Sequence, residues 1–297
     1  MVVLCLVISF FFFPKLLLLI KVHDVSYSEL SDMNPFTLHP SMALNNTKPV
    51  LMLLIPLLML HRNSDTSFEF PNFSGPYASE LITLQGDAFE SKGVITLTKV
   101  QNGAMMPNSA GRATYALPVR LWNSQTGKVA RFNTTFSFEI TYGFDLAETG
   151  DGISFFLAPF HSQMPPHADG GYLGLLSPDT ALRNTDKNQL VAVEFDMHPN
   201  SWDPAVPHIG IDVNSIASVK TVPWKNVVGL LIVFATVTYD PVSQNLSVAV
   251  RDGPTASLVI DLKSVLPEWV SVGFSGSTGK FTEVHDIHSW SFSSSFD

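Results

Sequence analysis

Cysteine is almost absent from this 297-residue sequence: the one thiol is Cys5, inside an apolar N-terminal run. An internal disulfide is therefore excluded, as is a thiol nucleophile anywhere beyond that run. A chain of more than two hundred residues buries enough apolar surface to fold without disulfides, so the scarcity leaves the compartment open. Charge is sparse too, at 14% of residues with a net value of −9 and no run of Lys or Arg. That argues against nucleic acid and is compatible with divalent cations and neutral ligands. Helical periodicity of convincing length is also missing; "LKSVLPEW" at 262–269 permits at most one turn before Pro267.

Long apolar runs are confined to the N-terminus. Residues 1–20 are apolar but interrupted by Pro14 and Lys15, and "PVLMLLIPLLML" at 49–60 follows Lys48. The second run has the length of a secretory h-region rather than of a membrane span. Read from Met42, it completes a signal sequence by itself. The expectation is an N-terminal extension and signal peptide over 1–64, with Met42 as a candidate start, and a mature chain over 65–297. A signal anchor at 1–20 is the alternative. "VVGLLIVFATVTY" at 227–239 is short, β-branched and followed by "DP", so it predicts a buried strand and not a span. The sequons at Asn72, Asn133 and Asn245 are candidate glycosylation sites and fit secretion to the extracellular space or the vacuole.

What is present in abundance is β pattern. "GVITLTKV" (93–100), "ARFNTTFSFEI" (130–140), "GISFFLAPF" (152–160), "QLVAVEFDM" (189–197), "HIGIDV" (208–213), "NLSVAVRD" (245–252), "ASLVIDL" (256–262) and "WVSVGFS" (269–275) alternate or run apolar. They are rich in Val, Ile, Phe and Thr, and Gly/Pro/Asn turns separate them. Regular spacing of such strands predicts an all-β sandwich or barrel in a single domain.

One stretch, "VEFDMHPNSWDPAVPHIGID" at 193–212, gathers Glu194, Asp196, His198, Asn200, Asp203 and His208. Residues two apart on a strand share a face, so Glu194 and Asp196 point together while Val193, Phe195 and Met197 point into packing. Adjacent like charges there call for a cation or a base. Carboxylates with an amide and a carbonyl oxygen suit Ca²⁺, and carboxylates with one imidazole suit a transition ion such as Mn²⁺. A polar hairpin, with Asp203 capping a turn and His208 packed on Trp202, is the plainer alternative. A glycosidase pair at Glu194 and Asp196 is disfavoured, because no second glutamate follows on that strand face.

The segment "VAVEFDMHPNSWDPAVPHIGIDVNSI" closely resembles the metal-binding segment of the legume-type plant lectins. The likeness runs from about residue 67 to 296 through "LQGDA", "GRATYALPVRLWNSQTGKVARFNTTFSFEI", "GDGISFFLAP", "GGYLGL", "LPEWVSVGFSGSTG" and "HSWSF". The resemblance implies a jelly-roll β-sandwich, no catalysis, and a homodimer or tetramer that binds glycans. It implies Glu194, Asp196, Asp203 and His208 as transition-ion ligands. For Ca²⁺ it implies Asp196, the backbone carbonyl of His198, Asn200 and Asp203. The implied sugar site comprises Asp151 after a cis peptide bond, the Gly171 N–H, Asn200, and the backbone of Lys280 and Phe281.

Departures from the family pattern accompany the likeness. His198 stands where Phe or Tyr usually stacks on the sugar, which predicts weaker monosaccharide binding, more so in acid. "PWKNVVGLLIVFATVTYD" is more apolar than its family counterpart and predicts an interface or an altered loop. The short "KFTEV" loop after Gly279 resembles mannose/glucose-binding members. The alternatives are a soluble or truncated lectin-like ectodomain of a plant receptor kinase, and a defence protein with weakened sugar binding.

Overall fold

The computed structural model describes residues 65–143, 149–224 and 232–296. The expectations for 1–64, for the apolar segment at 225–231 and for any membrane span within them lie outside the described residues. Among the described residues no helix is long and apolar enough to cross a membrane.

The fold is all-β, a jelly-roll sandwich of two antiparallel eight-stranded sheets. The back sheet runs Thr255–Val259, Asn245–Val250, Val233–Asp240, Arg131–Tyr142, Glu283–Ser295, Val94–Thr96 and Phe89–Ser91, with Thr66–Phe70 also paired to Glu283–Ser295. The front sheet runs Lys220–Pro223, His208–Val213, Val191–Asp196, Gly152–Pro159, Trp269–Thr278, Ser109–Tyr115 and Ile82–Gly86, with Val119–Arg120 beside Trp269–Thr278.

Alternation decides which way each side chain goes. Ile153, Phe155 and Leu157 join Val191, Val193 and Phe195 in the core between the sheets. Phe136 and Phe138 of the back sheet meet them there, with ring centroids 4.9 Å from Phe274 and 4.8 Å from Phe195 respectively. Buried aromatic pairs of this kind contribute roughly 0.5–1.5 kcal/mol each beyond their area. The intervening residues face outward from the front sheet. There Phe156, Ala158, Leu175, Leu176, Leu190 and Ala192 form part of a second apolar cluster.

Several expectations need correcting. The run 93–100 is two strands, Val94–Thr96 and Val100–Gln101. "ASLVIDL" ends as a strand at Val259, and a single 3₁₀ turn follows at Leu262–Ser264. The strand expected over 227–239 is observed as Val233–Asp240, and it alternates rather than being buried throughout. Only one of its faces meets the core; on the other, Phe234 lies under the Arg251 guanidinium at 4.1 Å. A six-residue helix, Pro76–Leu81, was not foreseen; its proline occupies the first turn, where no N–H is needed.

Candidate functional site

Strand register assembles the site. Asp196 pairs with His208 and with Gly152, while Glu194 pairs with Gly210 and with Ser154. All of these lie on the outer face of the front sheet, at one end. Glu194, Asp196 and His208 are buried, and the loop between the strands returns Asp203 to them. One ligand atom from each of Glu194, Asp196, Asp203 and His208 lies within 4.8 Å of all the others. A single ion about 2.0–2.6 Å from each oxygen can bridge groups so spaced.

The loop closes on itself by reciprocal hydrogen bonds. The Asn200 N–H donates to Asp203 Oδ2 at 2.9 Å, and the Asp203 N–H donates to the Asn200 carbonyl at 3.1 Å. The His198 N–H donates to Asp196 Oδ1 at 2.7 Å. Trp202 stacks on Tyr172 at 5.7 Å rather than on His208, whose Nε2 instead lies 3.0 Å from Glu194 Oε1. The plainer hairpin alternative therefore fails at its histidine.

The electrostatics reflect crowded negative charge. Burial first, and then the charges of Glu194 and Asp203, push Asp196 well above the ordinary carboxyl range. Burial pushes Asp203 up to about 6. Burial alone would lower His208, but Glu194 and Asp203 outweigh it and leave the imidazole raised. Asn200 Oδ1 is buried with no hydrogen-bond partner. A set of buried, mutually repelling carboxylates beside an unsatisfied amide oxygen and an imidazole fits the two expected cations.

Asp151 adjoins this cluster. The Gly150–Asp151 bond is cis, as the resemblance implies. The Asp151 N–H donates to the Ser277 carbonyl at 3.0 Å, and its carbonyl accepts from the Met197 N–H at 2.8 Å. Its carboxyl is buried, Oδ2 has no hydrogen-bond partner, and burial followed by the charge of Glu283 raises it to about 7. Space beside it exists only because glycines line it. A Cβ on Gly279 would lie 2.9 Å from Asp151 Oδ2, and one on Gly171 would lie 2.1 Å from Asn200 Oδ1. His198 and Phe281 meet with ring centroids 4.9 Å apart, and Lys280 Nζ lies 5.2 Å from the Phe281 ring. All the expected sugar-site and metal residues are thus drawn into one neighbourhood. The sequons sit apart: Asn72 and Asn133 are exposed, and Asn245 is half-buried.

Three contributors went unrecognised in the sequence. Ser218 Oγ lies 2.7 Å from Glu194 Oε1 and 2.6 Å from Asp212 Oδ1. One hydroxyl proton cannot serve two carboxylates, so Asp212, raised well above its ordinary range by burial and by Glu194, carries the second. Its signal was available, since Asp212 shares a strand face with His208 and Gly210. The third is Glu283, buried behind Asp151 with Oε1 2.7 Å from His285 Nε2.

The fold and the site define a jelly-roll sandwich with an acidic cluster and a glycine-lined carboxylate at one end of its front sheet. The family model of the legume lectin domain matches residues 65–297. "Lectin 7" of Medicago truncatula is 47% identical over 274 residues, covering 86% of this chain and all of that protein. Basic winged bean lectin, solved with Tn-antigen, aligns with a TM-score of 0.71 at 43% identity over 78% of this chain and 99% of that one. Winged bean acidic lectin, complexed with methyl-α-D-galactose, aligns at 0.71 and 40% identity over 78% and 99%. The chain belongs to the legume lectin family. Like its relatives it is a carbohydrate-binding protein and not an enzyme.

Proposed function

We propose that this lectin binds glycans through Asp151, Gly171, His198, Asn200, Lys280 and Phe281 in a Ca²⁺- and Mn²⁺-dependent way. The observation that carries this reading is the buried, unpartnered Oδ2 of Asp151, facing glycine-lined space next to the acidic cluster. Vicinal sugar hydroxyls need an ionised acceptor together with amide donors, and Asp151 with the Gly171 N–H supplies that pair. Asn200 adds its side-chain amide, and the His198–Phe281 rings offer an apolar platform. Glu194, Asp196, Asp203 and His208 would hold the transition ion. Asp196, Asn200, Asp203 and the His198 carbonyl would hold calcium. When bound, the cations supply positive charge that keeps the carboxylates, Asp151 included, ionised at neutral pH.

The short loop between the strands Trp269–Thr278 and Glu283–Ser295, residues 279–282, supports mannose/glucose specificity. Galactose is the second reading, favoured by the acidic winged bean relative solved with a galactoside. The same proposal takes residues 1–64 as extension and signal, 65–297 as the lectin domain, and the mature glycoprotein as a secreted or vacuolar homodimer or tetramer. Single monosaccharide contacts in a shallow site give about millimolar affinity, so avidity through oligomers would matter. A glycan array read with and without a chelator tests the reading. Chelation should erase the signal, and binding undiminished by chelation would refute cation dependence.

A further inference from the structure

The outer face of the front sheet also carries a cavity of about 280 Å³ whose wall includes Arg112, Ser162, Leu175, Leu176, Lys187 and Leu190. Arg112, on the strand Ser109–Tyr115, is 2% exposed. Its Nε donates to the Gly174 carbonyl at 2.7 Å and its Nη2 to the Leu175 carbonyl at 2.8 Å. The guanidinium also lies 4.9 Å from the Phe156 ring centroid. The remaining nitrogen, Nη1, is buried without a hydrogen-bond partner, and so is Ser162 Oγ.

Among the described residues no Asp or Glu lines this cavity. Burial accordingly pushes the guanidinium down, to about 10. Lys187, exposed on the rim, adds a second cation in a chain whose net charge is −9. A buried guanidinium with neutral partners only, in a wall that also holds an unsatisfied hydroxyl, is an arrangement that an anion completes. The rest of the wall is uncharged and mixed: Leu175, Leu176 and Leu190, from the second apolar cluster, form an apolar patch beside the neutral Gln163, Ser177, Thr180 and Asn188. A cationic corner next to an apolar patch is how many small-ligand sites are built.

We propose that this cavity is a second ligand site, distinct from the glycan site, that takes a small organic carboxylate. The carboxylate meets Arg112, Ser162 and Lys187, and a compact apolar body rests on Leu175, Leu176 and Leu190. Inorganic phosphate satisfies the cations but leaves the leucines bare, so it binds more weakly.

Ligand-observed NMR on the purified protein, titrated with benzoate, benzyl alcohol and inorganic phosphate, tests this. Saturable benzoate binding is expected, with the neutral alcohol and phosphate each about tenfold weaker or more. Lys187→Glu should weaken benzoate about tenfold and Ser162→Ala about threefold. Asp151→Ala, which removes the glycan contact, should leave benzoate binding where it was. Arg112→Lys should abolish it, but Arg112 also fixes two carbonyls, so the exposed Lys187 and the hydroxyl deletion are the deciding variants. Four results would overturn the assignment: no saturable benzoate binding, alcohol or phosphate as tight as benzoate, indifference to both deciding variants, or loss of benzoate binding in Asp151→Ala.

Discussion

Gly171 lies directly against the side chain of Asn200: a Cβ added to the glycine would meet Asn200 Oδ1 at 2.1 Å and its amide carbon at 2.5 Å. The glycine therefore leaves room for the amide. Gly171→Ala should push the Asn200 side chain aside and weaken glycan binding by about tenfold or more while the sandwich stays folded. Isothermal calorimetry alongside circular dichroism checks this; an alanine variant with unaltered affinity would show that the amide is not needed.

Asp151→Asn keeps the shape and removes the charge. With a buried carboxylate as acceptor for sugar hydroxyls, the expected loss is about tenfold to a hundredfold in affinity. Glycan binding measured against thermal stability separates this from unfolding, since stability should hold or rise once a buried acid is neutralised.

The pH dependence of stability should differ between cation-free and cation-loaded protein. Burial raises Asp151 to about 7 and Asp203 to about 6, with Asp196 raised as well. In the unfolded chain these carboxyls titrate at about 3.9, so the folded state holds extra protons. That stabilisation is fully present below about pH 4 and is lost as pH rises through the folded values near 6 and 7. Chelated protein should melt higher at pH 5 than at pH 8, with a smaller difference in Asp203→Asn. Loaded protein should show the opposite slope, because protons then compete with the cations for the same groups. Melting curves with identical slopes in both forms would exclude the linkage.

Ser218→Ala should remove the hydroxyl that lies between Glu194 and Asp212. Both acids are buried, and losing the hydroxyl that bridges them costs about 1–3 kcal/mol. The expected readouts are a lower melting temperature and metal affinity reduced about tenfold or more, followed by competition with a chromophoric chelator.

Phe281→Ala should weaken sugar binding several-fold, since it strips the ring that backs His198 at 4.9 Å. Each aromatic contact of this sort contributes about 0.5–1.5 kcal/mol. His198→Phe should strengthen binding by a similar factor through a larger platform. Calorimetry with one monosaccharide across both variants provides the comparison.

The strands were legible because their chemistry alternates with period two: Ile153, Phe155 and Leu157 face the core, and Ser154 and Phe156 face away. The acidic loop was legible because six metal-capable residues, Glu194 to His208, fall within fifteen positions. Other features depend on chain segments far apart in sequence. The meeting of His198 with Phe281 is one, and the burial of Glu283 behind Asp151 is another. The helix Pro76–Leu81 is too short for periodicity to reveal. Arg112 reads as an ordinary strand residue until Gly174, Leu175 and Phe156 are placed around it.

The pairing of Asp196 with His208 and of Glu194 with Gly210 makes tolerance to change uneven. A single inserted or deleted residue within Val191–Asp196 would swing Glu194 and Asp196 into the hydrocarbon interior and turn Phe195 outward. The recognition loops obey no such arithmetic. Selection can lengthen, shorten or recompose them for new sugars, while the acidic ladder beneath must be inherited intact.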